Sequence, residues 1–154
     1  MRRVRIFTQM ILLTALICIC LTGCGKSTAV TLPFEETDVA SIEMYRFIVP
    51  ASAEKKEITE PEAIADVYST FSNLKVTDKE TESLTGSTVT SFRFWLSDGT
   101  NYEIIYNAAG VKSGRIQLGE ETKDYFTSAD IGSLWDNCPQ EAVKADESEL
   151  PAYL

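Results

Sequence analysis

The chain has 154 residues, 14 of them Lys or Arg and 23 Asp or Glu, with no histidine and a net charge of −9. This balance excludes a nucleic-acid partner, whose phosphates demand a cationic face. Without an imidazole there is no Ser–His or Cys–His dyad, and the commonest zinc and copper ligand is missing.

Arg2, Arg3 and Arg5 precede an apolar run from Ile6 to Leu21, and Leu21-Thr22-Gly23-Cys24 closes it. A basic start, a short apolar core and small residues at the cut predict an export signal over residues 1–23. The run holds about 15 residues, short of the roughly 20 that a helix needs to span a bilayer. The four closing residues resemble the lipobox of bacterial lipoproteins at every position. That resemblance implies cleavage between Gly23 and Cys24 and a diacylglyceryl group on the Cys24 thiol, with palmitate-type acyl chains as the anchor. The expected location is the outer side of the cell membrane, and the membrane is the first expected partner. Two acyl chains hold stably, since each buried methylene contributes about 0.8 kcal/mol.

Removal of the signal leaves 131 residues carrying 11 basic and 23 acidic side chains, a net charge of −12. That length suits one domain with a real core, and that charge keeps the domain from lying flat on anionic lipid. Cys18 and Cys20 leave with the signal and Cys24 is consumed by lipid, so Cys138 has no partner for an intrachain disulfide. With no histidine to deprotonate it, Cys138 reads as an inert core residue.

Residues 24–37 lack periodicity and read as a tether. Gly25-Lys26-Ser27 is not a phosphate loop, because Cys20 stands where that motif needs its first glycine. Val39 to Val49 is rich in β-branched and aromatic residues and predicts a strand. Ile42, Met44 and Ile48 fall on one face, and Val39, Tyr45, Phe47 and Val49 on the other. Glu54 to Ile58 is its expected hairpin partner. Thr59-Glu60-Pro61-Glu62 predicts a helix start, with Thr59 as cap and Glu62 reaching back. Ile64, Val67, Tyr68, Phe71 and Leu74 then repeat at helical spacing, giving a helix over 60–73.

Residues 75–87 read as a solvated loop. The acids of Asp78-Lys79-Glu80-Thr81-Glu82 lack the glycine-centred pattern of a calcium loop, so no metal is assigned. Phe92, Phe94 and Leu96 alternate before Ser97-Asp98-Gly99, and Tyr102, Ile104 and Tyr106 alternate after it. A two-residue turn would set Phe94 against Glu103. A three-residue loop with Gly99 in the left-handed position pairs Phe94 with Tyr102, Phe92 with Ile104 and Arg93 with Glu103. The three-residue loop is therefore predicted. Asn107 to Gly110 reads as the next turn, Val111–Leu118 as a strand, and Thr122–Phe126 as a short last strand. Thr127 and Asp130 are spaced as a cap for a helix carrying Ile131, Leu134, Trp135 and Cys138, which stops at Pro139. Residues 140–154 hold four acids and one lysine and read as a frayed acidic tail.

The expectation is an α+β domain over 38–139, with two amphipathic helices on one face of a mainly antiparallel sheet. Trp95 and Ile105 would lie on the open face and are the candidate partner-binding residues. The order of elements resembles small lipoproteins of Gram-positive bacteria that carry an uncharacterised α+β domain. The resemblance rests on the lipobox, Ser41-Ile42-Glu43, the Thr59–Leu74 helix, Phe94-Trp95-Leu96-Ser97-Asp98-Gly99-Thr100 and Tyr125-Phe126. It implies no catalytic residue and no cofactor.

Three function classes follow: a non-catalytic surface module binding a protein or cell-wall component, an accessory lipoprotein of a membrane transporter or sensor, and a cell-envelope hydrolase. The first is favoured. The acids sit in polar turns and helix ends, away from the apolar settings that raise a carboxyl pKa.

Overall fold

The computed structural model describes residues 26–79, 86–121 and 123–151. Nine strands lie among them: β1 (Ser27–Ala29), β2 (Val39–Phe47), β3 (Glu54–Ile58), β4 (Lys75–Thr77), β5 (Val89–Leu96), β6 (Asn101–Gly110), β7 (Ser113–Leu118), β8 (Asp124–Thr127) and β9 (Val143–Lys144). The helices are α1 (Pro61–Ser72) and α2 (Ser133–Asn137). The strands form one sheet in the order β1-β4-β8-β7-β6-β5-β2-β3-β9, and every neighbouring pair is antiparallel. The architecture is α+β, as expected from the sequence.

The β5–β6 hairpin has the predicted register, with Phe92 opposite Ile104, Arg93 opposite Glu103 and Phe94 opposite Tyr102. Gly99 takes a φ of +86°, the left-handed conformation that glycine adopts without a Cβ penalty. Leu96 N–H donates to Thr100 O at 2.8 Å and closes the loop. β2 pairs with both β3 and β5 and is buried on both faces. A register shift between Val39 and Ser41 inserts one residue and reverses the alternation. Val39 therefore packs with Ile42 and Met44, not with Tyr45 as strict alternation demands. β2 stops at Phe47, which leaves Ile48 and Val49 exposed beyond the sheet.

α1 buries Ile64, Val67 and Phe71 against the sheet, each worth about 1.5–3 kcal/mol relative to exposure. Phe71 stands edge-on to Phe92 and Phe94. The expected Thr59 capping box does not form. The N-cap is Glu60, without a side-chain cap, and its carboxylate accepts the Thr59 N–H at 3.3 Å. Pro61 at the first helical position has no N–H to satisfy, which reduces the need for a cap. α2 is also shorter than predicted. Thr127 ends β8, and its hydroxyl donates to Lys75 O and accepts the Ala129 N–H, so it cannot cap a helix. The apolar spacing survives in the fold: Ile131 and Trp135 are buried, and Leu134 and Cys138 pack at the margin. Cys138 is half-buried, not fully buried as its place on the stripe predicts, and its thiol donates to Gln140 Oε1 at 3.1 Å. Lys56 Nζ binds the Trp135 and Cys138 carbonyls and lies 5.0 Å from the Trp135 ring centroid. A cation at a helix C-terminus is favourable.

The remaining differences concern the expected loops and ends. Residues 75–77 form β4 with Val76 buried, and residues 80–85, including Glu80 and Glu82 of the acid cluster, lie outside the described residues. β6 runs on through residues 107–110 instead of turning there. The tether is part of the domain: β1 pairs with β4, and Val30, Leu32 and Phe34 enter the core. Phe34 stacks with Tyr68, Phe94 and Tyr102, and its carbonyl accepts the Tyr68 hydroxyl at 2.9 Å. Every second residue of this segment is apolar, a short signal that the polar residues between them hide. Residues 140–151 of the acidic tail likewise belong to the domain. β9 pairs with β3, Ala145 N–H donates to Ala53 O, and Ala145 and Pro151 are buried. The folded unit thus extends beyond 38–139 at both ends.

Two apolar clusters result. The larger lies between the sheet and the two helices, and both α1 and α2 contribute to it. The smaller, Tyr45, Phe47, Ala53, Val89, Ile105 and Ala145, lies on the opposite face beneath the C-terminal segment, with Leu150 at its edge.

Candidate functional site

Gly23 and Cys24 lie outside the described residues. Among the described residues, no helix is long and apolar enough to cross a membrane, and no group of three or more Cys, Asp or Glu side chains is disposed to hold a metal. The chemistry of the described residues concentrates on the sheet face opposite the helices.

Strand alternation places Glu43 of β2, Lys55 of β3, Arg93 and Trp95 of β5 and Glu103 of β6 on that face. Glu43 is the hub. Its Oε2 accepts the Trp95 Nε1–H and the Tyr45 hydroxyl, each at 2.9 Å, and its Oε1 accepts Lys55 Nζ at 2.9 Å. Arg93 lies 3.6 Å from the same carboxylate, reaches Glu103 at 3.2 Å and donates to the Glu149 carbonyl at 2.9 Å. Lys55 also pairs with the Glu149 carboxylate at 3.2 Å. The C-terminal segment is therefore clamped onto the sheet by both cations. Charge-assisted bonds of this kind are roughly twice as strong as neutral ones.

The surroundings shift these groups in definite directions. Burial pushes the Glu43 carboxyl up, but hydrogen bonds from Trp95, Lys55 and Tyr45 and the charge of Lys55 outweigh it and hold the pKa below the ordinary value. Burial, then the hydrogen bond to Glu43 and its charge, push the Tyr45 phenol up to about 12. The Lys55 ammonium loses some basicity to burial and regains more from Glu43 and Glu149, so its pKa is raised. All three groups are held in their ordinary ionisation states at neutral pH.

The predicted binding pair is only partly where the sequence put it. Trp95 is half-buried and tied to Glu43, not free on an open face. Ile105 is 7% exposed, packed in the smaller cluster under the C-terminal segment, and contributes little surface. The sequence pattern of the covering segment is that of a frayed tail, so from sequence alone this face is expected to be open. What stays open lies beyond that cover. Asn101, Glu103, Ile105, Gln117, Gly119 and Glu120 line a trough of about 580 Å³, and Asn101 stands directly opposite Trp95 in the hairpin. The two amides and two carboxylates suit a polar partner rich in hydrogen-bonding groups.

Glu43 was missed as a site residue. Its signal is a charged residue between Ile42 and Met44 in a strand. That gains meaning only once the register sets Glu43 across from Arg93, and Arg93 across from Glu103. Comparison of the chain with protein-family models, with curated proteins and with solved structures yields no match.

Proposed function

We propose that this protein is a membrane-anchored lipoprotein, exported by a signal that ends at Gly23 and held outside the membrane through lipid on Cys24. In this reading the α+β domain is a non-catalytic binding module, and a protein or cell-wall component seats in the trough beside Trp95. The anchoring half is supported by the Leu21-Thr22-Gly23-Cys24 sequence after a basic and apolar leader. The observation that carries the binding half is the uncovered trough, walled by Asn101, Glu103 and Gln117, next to a face otherwise sealed by the C-terminal segment. The carboxylates of this face also favour binding over catalysis. Glu43 and Glu103 are already neutralised by Lys55 and Arg93, and a general acid needs a raised pKa, opposite to that of Glu43.

The test uses residues 25–154, because β1 and β9 belong to the fold. The domain and an Asn101→Ala/Gln117→Ala variant are presented to purified cell-wall polymer and to solubilised envelope proteins. Saturable capture by the parent, and its loss in a variant with an unchanged melting curve, is expected. Equal capture by both would remove the trough from the reading.

A further inference from the structure

β1 is an unguarded edge strand. It pairs only with β4 and ends the sheet, and Ser27, Thr28 and Ala29 are all exposed. An open edge offers unpaired N–H and C=O groups to other strands, and proteins blunt it with proline, with charge, with a bulge or with a cover. β1 holds no proline and no charged residue, and its register with β4 is regular. Of these devices, only a cover is left.

Covalent geometry says what lies beside it. Lys26 adjoins β1, and two peptide steps separate it from Cys24, a reach of at most about 7 Å. A bilayer holding lipid on Cys24 therefore meets a surface that borders this exit, and charge selects which one. The row Ser27, Thr77, Phe126, Arg115, Asn107 crosses the sheet from β1 to β6. In that register the chain before Ser27 heads toward the sheet end that carries Leu118 and Asn101. This end exposes Glu35, Glu36, Asp38, Asp98, Glu120 and Glu121. The helix face exposes Glu62 and Asp66, and the C-terminal segment Asp146 and Glu147. Anionic headgroups repel all three surfaces. The β1–β4 edge differs. Residues 26–29 and 75–77 include Lys26 and Lys75, both exposed, and no acid. The next acid along, Asp78, is paired with Lys123.

We infer that β1 and β4 form a membrane-docking edge, seated on phospholipid headgroups with Lys26 and Lys75 at the lipid phosphates, so that the domain stands edge-on. This rests on the lipid anchor at Cys24 proposed above and goes beyond it in fixing which surface meets the bilayer. Phosphate oxygens accept the unpaired N–H groups of β1, so the same contact covers the open edge. At about 4.8 Å per strand, the trough on β6 and β7 then stands about 14–19 Å from the docked edge and opens sideways along the membrane.

The experiment couples the Cys24 thiol of residues 24–154, carrying Cys138→Ser, to a maleimide lipid in nanodiscs of equal parts phosphatidylcholine and phosphatidylglycerol. A gadolinium-chelating lipid then broadens the 15N amide signals nearest the bilayer. The strongest intensity loss is expected at Ser27–Ala29 and Lys75–Thr77, with Glu54, Val143 and Lys144 at the far edge unaffected. Lys26→Glu/Lys75→Glu should melt like the parent and lose that preference. Strongest loss at Asp98, Glu120 and Glu121 would seat the acidic end on lipid and overturn the assignment. Equal loss along the whole chain, or an unchanged pattern in the charge variant, would do the same. A soluble dimer of residues 25–154 with its β1 amides protected from exchange would give the edge another occupant and also overturn it. Because the anchor is supplied chemically, none of these outcomes depends on processing in cells. Palmitate labelling in cells tests that processing separately, so failure of the anchor and failure of the docking edge are told apart.

Discussion

Glu43→Gln isolates the charge at the centre of the sheet face opposite the helices. Glutamine keeps the shape and can still accept from Trp95 and Tyr45, so the change removes chiefly the negative charge between Lys55 and Arg93. Breaking a fully buried pair costs about 3–5 kcal/mol. Glu43 is 15% exposed, and each cation keeps a second acid, Glu149 for Lys55 and Glu103 for Arg93. The expected loss is therefore smaller, about 2 kcal/mol, or a melting temperature lower by about 6–10 °C for a domain of this size.

The acid dependence provides an independent check. Because the folded pKa of Glu43 is depressed, its contribution is complete above the unfolded glutamate value of about 4.3 and is lost as the pH falls through the folded value. Parent and variant should thus differ most near neutrality and converge below pH of about 4. The measurement is urea denaturation of residues 25–154 from neutral to acid pH. A stability change under about 0.5 kcal/mol, or a difference that does not shrink with acid, would refute the hub role of this carboxylate.

Gly114→Ala should destabilise by about 2–3 kcal/mol, near the top of the overpacking range, because one of the atoms its Cβ would meet is the fixed Asn107 carbonyl; an unchanged denaturation midpoint would refute this. Truncation after Pro139 should cost at least about 3 kcal/mol, since it uncovers Tyr45 and Ile105 and removes both Glu149 contacts. Chemical denaturation of 25–139 beside 25–154 measures it, and equal midpoints would show that the segment does not hold the sheet. Cys24→Ser should abolish palmitate labelling in cells and leave an unprocessed precursor, and normal labelling would remove the lipid anchor from the proposal.

The hairpin was legible because three signals agreed: Gly99 fixes the loop, Phe92 and Phe94 demand apolar partners, and Arg93 demands Glu103. α1 was legible for a similar reason, with Pro61 at its start and Ile64, Val67 and Phe71 at helical spacing. The ends were not. Val30 N–H donates to Leu74 O and Phe34 packs on Tyr68 and Phe94, residues remote in sequence. Ala145 and Pro151 are too isolated among acids to signal a buried segment, and the two-residue β9 is too short for any period to show. The candidate site depended on those ends. Trp95 was correctly placed on the face away from Phe94, but whether that face was open was decided by the C-terminal segment.

The same segment explains why a covered sheet face carries three charges, Glu43, Arg93 and Glu103, in a row across β2, β5 and β6. As a source of stability, such a row is inferior to packed apolar side chains, because each charge loses much of its hydration. Its effect on register is larger. β2 is apolar on both faces, with Ile42 and Met44 on one side and Tyr45 and Phe47 on the other, so hydrophobicity alone discriminates poorly against a one-residue slip along β5. Such a slip would turn Glu43 away from Lys55 and Trp95 toward Phe71, Phe92 and Phe94, and strand Arg93 without its second acid. The penalty for one unpaired carboxylate in that aromatic core far exceeds the small difference between two apolar faces. Where apolar alternation is ambiguous, the charge row supplies the discrimination that holds Trp95 and the adjoining trough in place.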